Sequence, residues 1–206
     1  MRMPSQKSTD VRRKPQRQRG HERVAALLDA AGACFVEKGY EGTTMTEVAA
    51  RAGAAIGSLY QFFPTKEALA RALLEEYAQA AYEALGKFAD KAADWSTEEW
   101  AEQLCAFLIT IRKRYPAFVP LVESVPKPAA DGLNIRRRLR AQLQSVLARR
   151  APHRSDEETY AAAVVVQQMM KGAAAIQAEP GMPGRQAALA QMQHAMQRYL
   201  HGVFAA

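Results

Sequence analysis

Residues 43–69 read TTMTEVAARAGAAIGSLYQFFPTKEAL, and the fold follows from this stretch. Thr44 and Glu47 stand three apart ahead of apolar Met45, Val48 and Ala49, the pattern of a hydroxyl N-cap answered by a carboxylate at the third helical position. Gly53 ends that helix after two turns and permits a sharp change of direction. A second short helix is expected from Ala55 to Phe62. Pro64 stops it, and Phe63, the residue before a proline, is biased away from helix. Thr65 can cap a longer helix carrying Leu69, Leu73, Tyr77, Ala81, Ala84 and Phe88 on one face. Two short helices about a glycine turn, braced by a third, outline a helix-turn-helix over residues 44–63.

Working outward, the chain upstream shows helical period from about His21, with Val24, Leu27, Leu28, Ala31 and Phe35 at the required spacing. Gly39 after Lys38 reads as a C-terminal cap. Downstream, Ser96 with Glu99 and Ser155 with Glu158 repeat the capping-box spacing. Pro116 suits the first turn of a short helix. Asp131 can cap a helix bearing Leu139, Leu143, Val146 and Leu147, and Val125–Pro128 reads as a loop. Helices over about 155–177 and 184–204 close the chain. The expected class is all-α, with about nine helices. The expected division is a basic flexible tail (1–20), a helix-turn-helix domain (21–67) and a helical domain (68–206).

Composition narrows the function. The 206 residues are 49% hydrophobic, which suits a globular chain and not a disordered one. The formal net charge is +7, but its distribution is uneven. Residues 1–20 hold seven basic residues and one acid, whereas residues 21–71 hold five basic and six acidic. The helix-turn-helix region is therefore slightly acidic, and the excess lies in the tail. That tail reads either as a solubilising end or as a further contact to phosphates or the minor groove. Cys34 and Cys105 provide neither a disulfide framework nor a metal spacing. His194 and His201 are seven apart, not the four that a helical metal pair favours. No apolar run reaches membrane-spanning length and no signal-peptide pattern opens the chain, so a cytoplasmic protein without metal, cofactor or membrane partner is expected.

Thr43-Thr44-Met45, Val48-Ala49, Arg51-Ala52-Gly53, Gly57-Ser58-Leu59-Tyr60 and Phe63-Pro64-Thr65-Lys66-Glu67-Ala68-Leu69 together resemble the signature of the TetR/AcrR family of bacterial transcription regulators. The resemblance covers about residues 21–80. It implies a homodimer that binds a near-palindromic DNA operator through its helix-turn-helix and leaves it when a small-molecule effector binds. It also implies that Tyr60 and Lys66 touch phosphates, that Gly57 lets the recognition helix approach DNA, and that Leu59 and Phe63 pack inward. Thr44 offers a hydroxyl to a phosphate. Without DNA, the same residues read as a cap and surface groups.

One departure stands out. Where the family usually has Ser or Thr ahead of the recognition helix, this chain has Ala55. The stretch Ala54-Ala55-Ile56-Gly57 is wholly apolar, so it can meet thymine methyl groups but cannot hydrogen-bond base edges. Ser58 and Gln61 are the polar side chains nearest the bases, and Gln suits adenine. The expected operator positions are rich in A·T pairs, with Ala55, Ile56, Gly57, Ser58 and Gln61 toward the bases and Tyr60 toward the phosphates.

Phe107, Ile111, Tyr115, Phe118 and Met169 are the expected apolar lining of an effector site; the same residues also suit a bundle core. Arg136, Arg137, Arg138 and Arg140 read as a solvated face or as an anion site. The small apolar residues Ala161, Val164, Val165, Ala175, Ala188 and Ala195 permit close helix approach, and the resemblance makes them a dimer face. Two other readings stand beside this one. A constitutive DNA-binding protein would lack an effector. A helical enzyme is not supported by any nucleophile–base pair, phosphate loop or carboxylate–histidine pattern.

Overall fold

The computed structural model describes residues 13–125 and 135–205. Among the described residues there are nine α-helices and no strand: α1 (Arg13–Gly42), α2 (Met45–Arg51), α3 (Ile56–Phe62), α4 (Lys66–Lys91), α5 (Thr97–Arg114), α6 (Phe118–Ser124), α7 (Ile135–Arg150), α8 (Asp156–Ala178) and α9 (Arg185–Phe204). A single 3-10 turn, Ala92–Asp94, follows α4. All three expected capping boxes form, at Thr44/Glu47, Ser96/Glu99 and Ser155/Glu158. Each satisfies two otherwise orphaned backbone donors at its helix N-terminus.

Two starting points differ from expectation. Helix α1 begins at Arg13, about eight residues before the apolar period starts, so residues 13–20 of the expected tail are helical. Helix formation there needs only the backbone ladder, and Pro15 falls in the first turn, where a missing N–H removes no intrahelical bond. Helix α6 begins at Phe118, so Pro116 precedes it and does not sit in its first turn. The expected Asp131 cap, most of the expected 125–128 loop and residues 1–12 lie outside the described residues.

The chain forms two compact units. The first comprises Met1–Leu73 and Pro120–Val125. Its boundary falls at Leu73, a turn and a half beyond residue 67. Its core is Leu27, Leu28, Ala31 and Phe35 of α1, Met45, Val48 and Ala49 of α2, Leu59 of α3, then Phe63, Leu69 and Leu73. Within it α1 packs on α2, and α2 on α3.

The second unit comprises Leu74–Val119 and Pro126–Ala206. Helix α8 is its hub, packing against α5, α7 and α9. Its core holds Trp100, Leu104, Leu143, Leu147, Met170 and Met196, all nearly sealed from solvent. Trp100 donates its indole N–H to the Ala92 carbonyl (2.9 Å), which satisfies the one polar atom that burying an indole would strand. Gln167, a buried amide on α8, accepts from Arg140 Nε (3.2 Å) and donates to the Arg136 carbonyl (3.0 Å), tying α8 to α7. Arg138 of the arginine cluster pairs with Glu75 (2.7 Å) and lies over the Tyr82 ring at 4.4 Å.

Candidate nucleic-acid interface

The helix-turn-helix part of the first unit is built from its turns. Gly39 has φ +71°, which ends the regular part of α1 as its position predicts. The buried Thr43 hydroxyl donates to the Gly39 carbonyl at 2.7 Å, so this turn's free oxygen is satisfied. Gly53 has φ +62°. Its N–H reaches the Ala50 carbonyl (3.1 Å), and the Ala54 N–H reaches that of Ala49 (2.9 Å). This paired closure is the Schellman form of a helix end, and it sets the exit of α2 toward α3.

Two crossed ion pairs tie α2 to the last turn of α1. Lys38 Nζ lies 2.5 Å from Glu47 Oε1. Arg51 grips Glu37 with both guanidinium nitrogens, at 2.7 and 2.6 Å. Glu47 also accepts from the Thr44 N–H (3.0 Å) and the Thr44 hydroxyl (2.9 Å). The Lys38 bond foremost, then these Thr44 bonds, hold its carboxyl down at about 2. Glu37 is lowered in turn, chiefly by its bond to Arg51.

Helix α3 starts at Ile56 behind Ala55, whose side chain makes no capping bond, as the missing hydroxyl requires. Leu59 is fully buried and Phe63 nearly so, which fixes the inward side. The opposite side is open: Tyr60 is 48% and Ile56 39% exposed. Ala55, Gly57 and Gln61 are exposed as well, Ser58 is half-buried, and Thr44 is exposed at the start of α2. Ile56, Gly57, Tyr60 and Gln61 fall within one continuous arc of the helix. Phe62, 40% exposed, lies outside the expected set. Nothing in the apolar period distinguishes it from the adjacent buried Phe63.

Lys66 is placed differently from the rest. It is half-buried, and its ammonium donates to the carbonyls of Tyr40 (2.7 Å) and Glu41 (3.1 Å) while sitting 4.6 Å from the Tyr40 ring centre. It therefore serves the C-terminal turn of α1, where helix carbonyls lack partners. Arg71 pairs with Glu67 one turn away. Lys38, Arg51, Lys66 and Arg71 thus all make contacts inside the chain.

The residues expected at an effector site all fall in the second unit. Phe107 and Ile111 are buried on α5. Tyr115 and Phe118 gather around Tyr77, with ring centres 4.6 and 6.3 Å from it. Met169 is half-buried on α8, beside the fully buried Met170. On the α8 and α9 surface, Ala161, Val165, Ala175 and Ala195 are exposed and Val164 and Ala188 half-buried. A groove of 470 Å³ runs there, lined by residues including Arg154, Ala161, Tyr199 and Gly202.

Two family models match the chain. The model described as bacterial regulatory proteins of the tetR family covers residues 27–73, and that of the tetracyclin repressor-like C-terminal domain covers 96–200. The chain belongs to the TetR family. This TetR-family protein is 32% identical over 76 residues to the HTH-type transcriptional regulator YfiR of Bacillus subtilis, a match spanning 37% of each chain. Among solved structures it resembles a TetR-family transcriptional regulator from Pectobacterium atrosepticum (TM-score 0.67, 23% identity, 92% of this chain and 98% of that one). It also resembles the regulator FadR of Bacillus subtilis in complex with stearoyl-CoA (TM-score 0.63, 14% identity, 84% and 96%). A third is a gamma-butyrolactone receptor (TM-score 0.52, 23% identity, 87% and 98%). Family and fold point to a transcription regulator. Among the described residues, no helix is long and apolar enough to cross a membrane.

Proposed function

We propose that this TetR-family protein is a dimeric repressor that binds an operator through α2 and α3 and is released by a small apolar effector. The observation that carries the DNA reading is Gly57. It lies in the middle of α3 with ordinary helical backbone, and a Cβ built there meets nothing within 4 Å. A helix-interior glycine is roughly 1 kcal/mol less favourable than alanine. Neither strain nor internal crowding requires glycine there, and its place on the exposed arc of α3 leaves room for a DNA groove to approach closely. The exposed arc of Ile56, Gly57, Tyr60 and Gln61, with Ala55 and half-buried Ser58 beside it, is the surface offered to the major groove. Thr44 and Tyr60 supply hydroxyls for phosphates. Lys66 enters as a positioning residue that fixes the end of α1.

A second copy packs on the small-residue surface of α8 and α9, where Ala161, Val165 and Gly202 leave room for close approach. Phe107, Ile111, Tyr115, Phe118 and Met169 line the effector site. Two solved relatives named for an acyl-CoA complex and a butyrolactone make a partly apolar effector reasonable. Ligand acts by population shift, and only to the extent of its differential affinity for DNA-bound and released forms. No catalytic role is assigned.

Selection of bound duplexes from a random pool tests the reading. The expected product is a near-palindrome whose half-sites lie about one DNA turn apart, roughly 34–36 Å. A pool that shows no enrichment after repeated rounds would refute it.

A further inference from the structure

The arc that α3 exposes is unusual in its chemistry. Ile56 and Tyr60 stand one turn apart and are both substantially exposed. Ala55 before them is exposed and makes no side-chain hydrogen bond at the cap. Gly57 between them offers no side chain. Polar reach on this arc comes only from the Tyr60 hydroxyl, half-buried Ser58 and Gln61 at the far end. The leading end of α3 therefore presents apolar surface that its own unit covers only in part, Ile56 being 39% exposed. In the major groove, the one apolar mark on a base-pair edge is the C5-methyl group of thymine.

We propose that Ile56 is a specificity-determining residue that recognises the 5-methyl group of a base, so that the operator is read at this step by methylation of the pyrimidine and not by its hydrogen-bonding edge. The inference rests on α3 being the DNA-reading helix. It has a consequence beyond A·T preference. A 5-methylcytosine carries the same methyl at the same ring position, so it substitutes for thymine opposite Ile56, and unmodified cytosine does not.

The test uses the full chain and the half-site enriched from the random pool, with binding followed by fluorescence anisotropy. Each thymine is replaced in turn by deoxyuridine, which removes only the methyl. At the step facing Ile56, affinity is expected to fall ~3- to 5-fold, the effect of exposing one buried methyl-sized group. Cytosine there is expected to bind worse than 5-methylcytosine. Ile56→Ala, a change at an exposed side chain, should bind the thymine site more weakly and bind thymine and deoxyuridine sites equally. Indifference of the wild-type chain to every deoxyuridine replacement overturns the proposal, as does discrimination that survives in Ile56→Ala. Either result leaves the DNA-reading assignment intact, whereas failure to enrich any sequence removes both.

Discussion

The Lys66 ammonium touches Tyr40 twice, donating to its carbonyl at 2.7 Å and lying 4.6 Å from its ring centre. One side chain from the start of α4 thus closes the last turn of α1. Hydrogen bonds from a charged donor contribute about 1.5–3 kcal/mol where water is excluded, and less at a half-exposed site. Lys66→Met should therefore lower the melting temperature by several degrees and weaken DNA binding through a loosened reading unit. The salt dependence separates this from a phosphate contact. Losing one phosphate contact flattens the log–log slope by about 0.9. The expected slope for Lys66→Met is unchanged, and Lys66→Arg should recover part of the stability. A flattened slope with an unchanged melting temperature would place Lys66 on the DNA.

Glu47 makes the stability of the first unit sensitive to acid. Its carboxyl is held at about 2, against an ordinary value of 4.5, first by Lys38 and then by Thr44. Because the folded value is depressed, the stabilisation is full above about 4.5 and disappears as pH falls toward 2. Glu47→Gln should melt lower than wild type at pH 6, and the gap should close progressively between pH 4.5 and 2. Glu37 and Glu158 are also lowered, so both proteins lose stability in acid and only the difference between their melts reports on Glu47. A gap independent of pH would assign the residue's contribution to something other than its charge.

The α8 and α9 surface carries a prediction about assembly. Ala161 and Val165 are exposed on successive turns of α8, and Ala161 lines the groove with Gly202 and Tyr199. Wild type should sediment as a dimer of 22.7 kDa chains. Ala161→Glu together with Val165→Glu puts two carboxylates per chain into the proposed interface, where like charges and desolvation oppose association. The doubly substituted chain should sediment as a monomer at micromolar concentration with its helical circular dichroism intact. Operator affinity should fall with it, since a single half-site contact remains. A dimer of unchanged strength would locate the interface elsewhere.

How much of this was legible in the sequence depends on the range of each interaction. Thr44 with Glu47, Ser96 with Glu99 and Ser155 with Glu158 are local, three residues apart, and all three boxes form. Gly39 and Gly53 end their helices where the apolar period stops, and the inward turn of Leu59 is the one the family resemblance implies. The destinations of the cations were not legible. Lys38 meets Glu47 nine residues away, Arg51 meets Glu37 fourteen away, and Lys66 reaches back twenty-six to Tyr40. Those partners are set by how α1, α2 and α4 pack, which no spacing rule encodes. The start of α1 at Arg13 was missed for a different reason: a charged segment with no apolar face gives no periodic signal, although its backbone can still extend the helix.

Gly57 separates folding from function most cleanly. Its backbone is ordinary helix and a Cβ there meets open space, so Gly57→Ala adds a methyl without any internal clash. The substitution should leave the protein as stable as wild type or stabilise it by up to ~1 kcal/mol through helix propensity. Against DNA the same methyl stands between α3 and the groove. Overpacking a close-fitting surface typically costs about 1–3 kcal/mol, so operator affinity should drop between roughly fivefold and a hundredfold. Gly57→Ser adds a hydroxyl to the same Cβ and should weaken binding at least as much unless a base edge accepts it. Paired thermal melts and operator titrations check the prediction. A Gly57→Ala protein that is no less stable and binds the operator as well as wild type would show that nothing approaches α3 at this position, and would remove the observation on which the DNA-reading face rests.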